Sequence, residues 1–413
     1  MSLRRILLAI LILVAVGIGA FFSGRASVSP SAVTTTTSPS ATPFSPVSVT
    51  FISLDTGWAL GTTPCGNDFS CMTLRATSDG GHHWFTEPLP LSLLKAADRN
   101  VDGFPAATYG YVPNVRFANA RDGWIYGSLG VPIPANDPSS IVVSLKPVLW
   151  STHDGGATWK RQQLPWAYQD GPVLDLEAAA GNVFMMAMNL HNSVVVESTP
   201  VGQDQWRAAN TTKLNIPAGG GSLGGAIVLR GSKGWLVEGN DRGTSGSAQL
   251  RSNGEWAAWT PPCEAVGDSF AVPAVSTTRD LVALCSMGGF ASPQTKFWPR
   301  GATFGSNWLY FSNDGGATFA VGPQLQPSKD YFYYELASPS PRTILLGRSN
   351  GVHDDLLASF DQGNRWRVVY KGQIAYLGFT SATQGVALVQ SSNRTYRMIM
   401  TYDGGHTWTL VTF

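Results

Sequence analysis

The chain has 413 residues, of which 13% are charged, and its formal net charge is +1 at pH 7. This balanced charge, without a basic run, excludes electrostatic binding of nucleic acid as a main function. The 45 glycines and 14 tryptophans favour short strands, tight turns and aromatic packing over helical bundles.

The first residues form a segment unlike the rest of the chain. Arg4 and Arg5 precede an unbroken apolar run from Ile6 to Phe22, which is the pattern of an export signal. The run is close to the length that spans a bilayer. Residues 24–26 make a poor cleavage site because an arginine lies between the small residues. We therefore predict an uncleaved anchor at residues 1–25, in preference to a removed signal, with everything downstream outside the cytoplasm.

The next segment, residues 26–46, is dense in Ser, Thr and Pro. Such a composition has too little apolar surface to offset the entropy of ordering the chain. We predict an extended tether here.

From Val47 onwards the chain repeats one short pattern: a hydroxyl residue, an Asp, a glycine pair and a closing aromatic. The spacing of the copies falls in the range typical of propeller blades, and seven copies predict seven blades. Five copies are well formed: TSDGGHHW at 77–84, THDGGATW at 152–159, SNDGGATF at 312–319, SFDQGNRW at 359–366 and TYDGGHTW at 401–408. Two degenerate copies follow the pattern less closely: a longer one at 198–206 and a shorter one at 252–256.

A second set of glycine turns comes before each copy of the first. These turns break paired apolar runs, so each blade reads as strand A, a turn, strand B, a loop, strand C, the Asp turn and strand D. The second set lies at 55–58, 121–124, 232–235 and 383–386, with Gly181, Asp280 and Thr343 near the three remaining positions.

Folding alone accounts for every part of the Asp turn. The glycines tolerate positive φ, the carboxylate accepts backbone N–H groups of its own turn, and the aromatic ring packs between blades. We predict this structural role for Asp79, Asp154, Asp314, Asp361 and Asp403.

The repeats resemble the Asp-box, or BNR, repeat of the sialidase-like superfamily, which includes the sortilin ectodomain and photosystem II stability and assembly factors. The resemblance covers residues 47–413. It implies an all-β, seven-bladed propeller whose Asp turns lie on the outer rim of one face, and it implies little about activity.

The long insertions all fall on the same face of such a propeller. We call this the loop face; it carries the B–C and D–A connections, including 65–71, 88–113, 130–147 and 286–306. The opposite turn face carries the A–B and C–D turns. Because binding residues gather on loops held by a rigid scaffold, the loop face is the predicted binding face.

Four cysteines in an exported chain predict two disulfides, for which three connectivities exist. We favour Cys65 with Cys71 and Cys263 with Cys285. A metal site is not predicted, because no His lies near either pair. We interpret His82, His83, His153 and His406 as surface residues of the Asp turns.

Catalysis would need further residues. By resemblance, retaining sialidases use three arginines, a Tyr nucleophile with a Glu, and an acid Asp; their early F/Y-R-I-P motif is missing from this chain. Arg116 and Arg251 are candidate arginines, although a strand surface explains Arg116 equally well. The pair Asp354-Asp355 would point to opposite faces in a strand and would be solvated in a turn.

The sequence also predicts how the ring closes. Blade one has its own A strand near Val47–Ile52, and blade seven supplies all four strands within Ile374–Phe413. No strand is left to exchange, so side-chain packing should close the ring, with Trp84 and Trp408 as contributors.

These patterns predict a monomeric, membrane-anchored, extracytoplasmic propeller without cofactor, which binds a protein or a glycan through its loop face. The alternative is a glycoside hydrolase of sialidase-like type. Arg, Glu and Tyr converging at the central opening would favour the hydrolase. A mixed patch without paired carboxylates would favour the binding protein.

Overall fold

The structure is a computed structural model. It describes residues 43–413 except 67–68, 91–92, 94–112, 134–141, 165–172, 189–193, 210–223, 241–242, 253, 263–272, 287–306, 326–331 and 392–394. The predicted anchor and most of the predicted tether lie outside the described residues. Within the described part of the chain, no helix is long and apolar enough to cross a membrane.

The described strands form seven four-stranded antiparallel sheets, each with its strands in chain order. The predicted all-β, seven-bladed propeller is therefore confirmed. Blades one and two comprise β1 Ser45–Phe51, β2 Gly57–Gly66, β3 Phe69–Thr77, β4 Phe85–Glu87, β5 Asn114–Phe117, β6 Gly123–Ile133, β7 Val142–Thr152 and β8 Lys160–Arg161. Blades three and four comprise β9 Val173–Ala179, β10 Asn182–Met188, β11 Val194–Pro200, β12 Arg207–Ala208, β13 Gly224–Arg230, β14 Lys233–Asn240, β15 Gly243–Leu250 and β16 Trp256–Ala258. Blades five to seven comprise β17 Pro273–Val275, β18 Leu281–Ser286, β19 Asn307–Ser312, β20 Ala320–Gln324, β21 Phe332–Ser340, β22 Thr343–Ser349, β23 Asp354–Ser359, β24 Arg367–Lys371, β25 Gln373–Phe379, β26 Gly385–Gln390, β27 Tyr396–Thr401 and β28 Thr409–Leu410.

The middle strands carry continuous apolar runs because neighbouring blades cover both of their faces. In β14, Trp235, Leu236 and Val237 are consecutive and all fully buried. In β18, Leu281 and Val282 are likewise buried side by side. The hydrophobic core is thus a series of layers between blades.

Each closing aromatic of an Asp turn packs against the blade that precedes it. Trp159 of blade two lies against the core formed by blades one and two, next to Trp58 and Phe117. Trp366 of blade six packs into the core between blades five and six. Each D strand therefore anchors its blade to the previous one.

The ring closes without strand exchange, as predicted. β1 is the first strand of blade one, and blade seven contains β25 to β28 alone. Trp84 packs on Met398 and Met400 of blade seven, and the Phe44 and Phe413 ring centroids lie 4.5 Å apart. The prediction for Trp408 was wrong: its ring lies in the core between blades six and seven, because closing aromatics contact the preceding blade.

The B–C insertion of blade two is shorter than predicted. β6 runs on to Ile133 and β7 begins at Val142, so much of the predicted loop at 130–147 is paired strand, with Gly130 opposite Leu145. The apolar residues of both arms extend the hairpin, since strand pairing satisfies backbone groups that a loop would leave to water.

Candidate functional site

The first strands of the blades lie beside one another around the centre of the ring. Side chain–backbone hydrogen bonds link several of them. Ser48 Oγ in blade one accepts the Val115 N–H of blade two at 3.0 Å. The Tyr334 hydroxyl in blade six accepts the Ile374 N–H of blade seven at 3.3 Å. Polar side chains at the centre are thus part of what holds the blades together.

Within this centre, Arg116 of β5 forms an ion pair with Glu177 of β9. The guanidinium Nη2 lies 2.5 Å from Glu177 Oε1, and Nε donates to the Leu176 carbonyl at 3.4 Å. The exposed fractions of the two side chains are 21% and 22%, and protein surrounds them on most sides. Burial raises the pKa of Glu177 to about 7, although Arg116 opposes this shift.

Asp175 lies two residues before Glu177 on the same strand and has several hydrogen-bond donors. Its Oδ1 accepts the Leu176 N–H at 2.8 Å and the Tyr126 hydroxyl at 3.2 Å. Its Oδ2 accepts the Ile227 N–H of blade four at 2.7 Å. Burial nevertheless raises the pKa of Asp175. Because both oxygens already have partners, we interpret this carboxylate as a link between blades three and four.

Two tyrosines complete what we call the central cluster: Arg116, Tyr126, Asp175, Glu177 and Tyr376. Burial and the neighbouring carboxylates raise the pKa of Tyr126. Burial also raises the pKa of Tyr376, although the positive charge of Arg116 opposes this shift. Both phenols are therefore held in the neutral form, which makes them hydrogen-bonding groups rather than activated nucleophiles.

A further carboxyl group contacts the first strand of blade seven. Glu335 of β21 accepts the backbone N–H of Leu377, and burial raises its pKa to about 7. Its φ is 46°, a left-handed conformation that a residue with a Cβ rarely adopts, and it sits at an irregularity in the pairing of β21 with β22. With pKa values of about 7, Glu177 and Glu335 can each gain or lose a proton near neutral pH. This is the property required of a general acid or base.

The five predicted Asp residues all lie on the turn face, away from the central cluster. In each turn the Ser or Thr hydroxyl donates to the Asp at 2.8–2.9 Å. The same Asp oxygen accepts the N–H four residues later at 2.8–3.0 Å. The hydroxyl oxygen in turn accepts the N–H of the glycine two residues after the Asp. These bonds connect each Asp with its own turn.

The other predicted residues are not brought together. Arg251 is exposed at the C–D turn of blade four, whereas Arg116 lies at the centre in an ion pair with Glu177. Asp355 is not solvated: it is buried in β23 and pairs with Arg348 on the adjacent strand. Its neighbour Asp354 is half-buried.

The disulfide between Cys65 and Cys71 is confirmed and joins β2 to β3 on the loop face, with 5.6 Å between the Cα atoms. Cys285 is disulfide-bonded, and its predicted partner, Cys263, lies outside the described residues. Among the described residues, no group of three or more His, Cys, Asp or Glu could hold a metal ion.

His153, predicted to be a surface residue of its turn, also contacts two carboxylates. Its ring nitrogens lie 2.7 Å from Asp122 and 3.4 Å from Asp204 of the next blade.

Sequence analysis missed Asp175 and Glu177. A signal was present, because acids at alternate positions of a strand point to the same face, and the run VLDLEAA places them so. Their partners could not be found in this way: Arg116 is 61 positions from Glu177.

Comparison with solved structures finds the same architecture in proteins of differing activity. "YCF48 bound to D1 peptide" has 17% identity and a TM-score of 0.52, covering 88% of this chain and 94% of that one. A PL25 ulvan lyase has 10% identity and a TM-score of 0.51, covering 89% and 95%. A puromycin-hydrolysing peptidase of Mycobacterium tuberculosis has 11% identity and a TM-score of 0.54, covering 90% of this chain and 53% of that one.

No protein-family model and no curated protein matches the chain. At these identities the solved structures establish the propeller fold alone, and membership of the Asp-box superfamily stays a prediction.

Proposed function

We propose that the chain is a non-catalytic propeller that binds a protein or a glycan through its loop face. The observation that carries this proposal is the difference between the two faces. On the turn face, the carboxylates and leading hydroxyls of the five well-formed Asp turns bond within their own turns. By contrast, long connections begin and end on the loop face, because β4 ends there at Glu87 before β5 begins at Asn114, and β18 ends there at Ser286 before β19 begins at Asn307.

The described part of the loop face is also reinforced. The Cys65–Cys71 disulfide ties its first hairpin. In blade six, Asn350 Oδ1 accepts the N–H groups of Val352 and His353 and so fixes the hairpin tip. Val352 is 79% exposed at that tip, and a rigid, exposed apolar side chain is suited to contact with a partner. The solved complex of YCF48 with a peptide supports a protein ligand by analogy of fold.

The second candidate is a glycan-cleaving enzyme, and the central cluster is the observation that favours it. Arg116, Glu177 and Tyr376 converge there, and Asp175 and Glu177 form a same-face carboxylate pair. We rank this function second for two reasons. Asp175 and Glu177 are bonded in links between blades, and burial holds Tyr376 in its neutral form.

A photo-crosslinking experiment tests the binding proposal. A benzophenone amino acid is placed at Val352 on the loop face, and in a matched control at Leu54, which is 51% exposed on the turn face. In cells that make this chain, we expect one discrete adduct from position 352 and none from position 54. Adducts from position 54 alone would contradict the proposal.

A turnover assay separates the second candidate from the first. Purified full-length protein is incubated with polysaccharides, and new reducing or unsaturated ends are measured. We expect no turnover. Cleavage that Glu177→Gln abolishes, without loss of folding, would establish the enzyme instead.

We further propose that residues 1–25 anchor the propeller outside the cytoplasm. The apolar run from Ile6 to Phe22 supports this. Membrane fractionation and N-terminal sequencing of the mature protein test it. We expect a membrane-bound protein with an intact N-terminus, and a soluble product beginning near Ser27 would contradict the anchor.

A further inference from the structure

A groove of about 360 Å³ opens between blades five and six on the turn face. Phe311, Val321 and Pro323 of blade five form an apolar wall, and Gln362 and Asn364 of blade six face it. The volume lies at the lower end of the ~300–1,000 Å³ range of small-molecule sites. The groove belongs neither to the central cluster nor to the loop face.

The groove is open because the residues at its rim are short. At two other junctions, the residue before the Asp in one blade stacks on the residue after the glycine pair in the next. Tyr402 lies on His82, with ring centroids 5.5 Å apart, and Phe360 lies on His406 at 3.7 Å. At the junction of blades five and six, two asparagines occupy the equivalent positions: Asn313 and Asn364.

The described lining of the groove carries four hydroxyl side chains and three amides. Ser276 donates to the Asp280 carbonyl and Ser338 to the Ser340 carbonyl. The hydroxyls of Ser312 and Thr318 donate to Asp314 in their own turn.

Gln362 and Asn364 donate from their amide nitrogens to the Pro341 and Asp361 carbonyls, which leaves their side-chain oxygens to accept from a ligand. The Asn313 side chain makes no hydrogen bond to the described residues and is exposed beside the groove. A side-chain amide offers a donor and an acceptor in one plane, which matches the paired hydroxyl groups of a sugar ring.

A single carboxylate gives the described lining of the groove its charge. Asp280 is the one charged residue among those that line it in the described part of the chain, and its Oδ2 accepts the Thr277 hydroxyl at 2.6 Å. Arg279, next to it, donates from Nε to the Asn313 carbonyl at 3.1 Å. The groove therefore presents a carboxylate that has no cationic partner among the described residues, which disfavours an anionic ligand.

We propose that this groove binds a neutral saccharide of one or two rings. The C–H face of the sugar packs on Val321 and Pro323, and its hydroxyl groups pair with the Asn313 amide and the side-chain oxygen of Gln362. An acidic sugar would place its carboxylate near Asp280 and would bind less well.

Ligand-observed saturation-transfer NMR on the full-length protein tests the proposal. The probes are maltose, cellobiose and lactose, with glucuronic acid as the charged comparison. Asn364→Trp fills the groove and should abolish the signal. Asn313→Ala removes one amide and should weaken binding by about tenfold.

Ala157→Trp is the matched control, because Ala157 occupies the equivalent position of the Asp turn in blade two. It should leave binding unchanged, and all three variants are checked for folding by thermal denaturation. The proposal is overturned if no neutral disaccharide gives a signal at millimolar concentration, if Asn364→Trp and Asn313→Ala both bind as the unaltered protein does, or if glucuronic acid binds equally well.

Discussion

Asp154 accepts three hydrogen bonds inside its own turn: from the Thr152 hydroxyl, the Thr158 N–H and the Thr158 hydroxyl. The bonds from Thr158 lower the pKa of Asp154 to about 2. The carboxylate is solvent-exposed, so each bond contributes little individually. The main effect of the carboxylate is to accept the Thr158 N–H, which the tight turn leaves without a backbone acceptor.

We predict that Asp154→Ala lowers the free energy of unfolding by about 1 kcal/mol at pH 7, which lowers the Tm by about 2 °C for a domain of this size. Binding at the loop face should not change. The difference from the unaltered protein should shrink as the pH falls from about 4 towards 2, because the carboxylate is then protonated. Thermal denaturation at several pH values measures this. Loss of binding at an unchanged Tm would contradict a structural role.

The sequence predicts the bonding partners of some residues and not of others. The partners of Asp154 lie within four positions, so a local motif fixes them. The partners of Glu177 come from other blades: Arg116 from the neighbouring blade two, and Tyr376 from blade seven, which comes near only when the ring closes. A local sequence pattern does not indicate which distant residues will be in contact, so the central cluster could not be predicted.

The D strands determine which blades contact each other through aromatic rings. Trp84 joins blade one to blade seven, whereas Trp408 joins blade seven to blade six. At the closure, Phe413 lies 4.5 Å from Phe44 and 5.1 Å from Trp84, measured between ring centroids. The final residues therefore take part in closing the ring although they exchange no strand.

We predict a coupling energy of about 0.5–1.5 kcal/mol between Phe44→Ala and Phe413→Ala in a double-mutant cycle. The two rings are in direct contact across the closure, so removing one removes part of what the other contributes. Trp408→Ala and Phe44→Ala should instead be additive, because the two rings lie in different cores. Urea denaturation of the three single and two double variants measures both quantities. Additivity of the two Phe variants would contradict closure through this contact.

The strand order of each blade was predictable because turn residues, glycine in most cases, separate the apolar runs at the A–B and C–D positions. The lengths of the strands were harder to predict than their order. The hairpin of β6 and β7 extends into a segment with proline and glycine that looks like a loop. Pairing between its two arms decides the outcome, and such pairing is a property of two segments rather than of one.

Across the whole molecule, buried glutamates and exposed Asp turns respond to pH in opposite directions. Burial raises the pKa values of Glu177, Glu238 and Glu335 to about 7, above the ~4.3 of an unfolded chain. Between these values the folded form holds more protons than the unfolded form, so stability falls as the pH rises. For Asp154 and Asp403 the pKa is lowered to about 2, so their stabilisation is lost below about pH 4.

We therefore predict maximum stability near pH 4–5, with a decrease of several kcal/mol from pH 5 to pH 8, at about 1.4 kcal/mol for each unit of pKa shift. Denaturant titrations at both pH values measure it. Glu238→Gln should flatten this slope, because a neutral amide has no proton to lose, while Glu255→Gln at an exposed turn position is the matched control. An equal slope in Glu238→Gln and the control would contradict the prediction.

Truncation from the two ends should have opposite outcomes. Deleting His406–Phe413 removes β28, the Trp408 ring from the core between blades six and seven, and the Phe413 ring from the closure. The N–H and C=O groups of β27 that pair with β28 then form a bare sheet edge, which is a template for aggregation. Deleting Met1–Thr42 leaves Phe44 and every strand from β1 onwards in place. We expect aggregates from the first deletion and a folded, soluble propeller from the second, as measured by size-exclusion chromatography and thermal denaturation. A monomeric C-terminal truncation with an unchanged Tm would show that blades one and seven hold together without these rings.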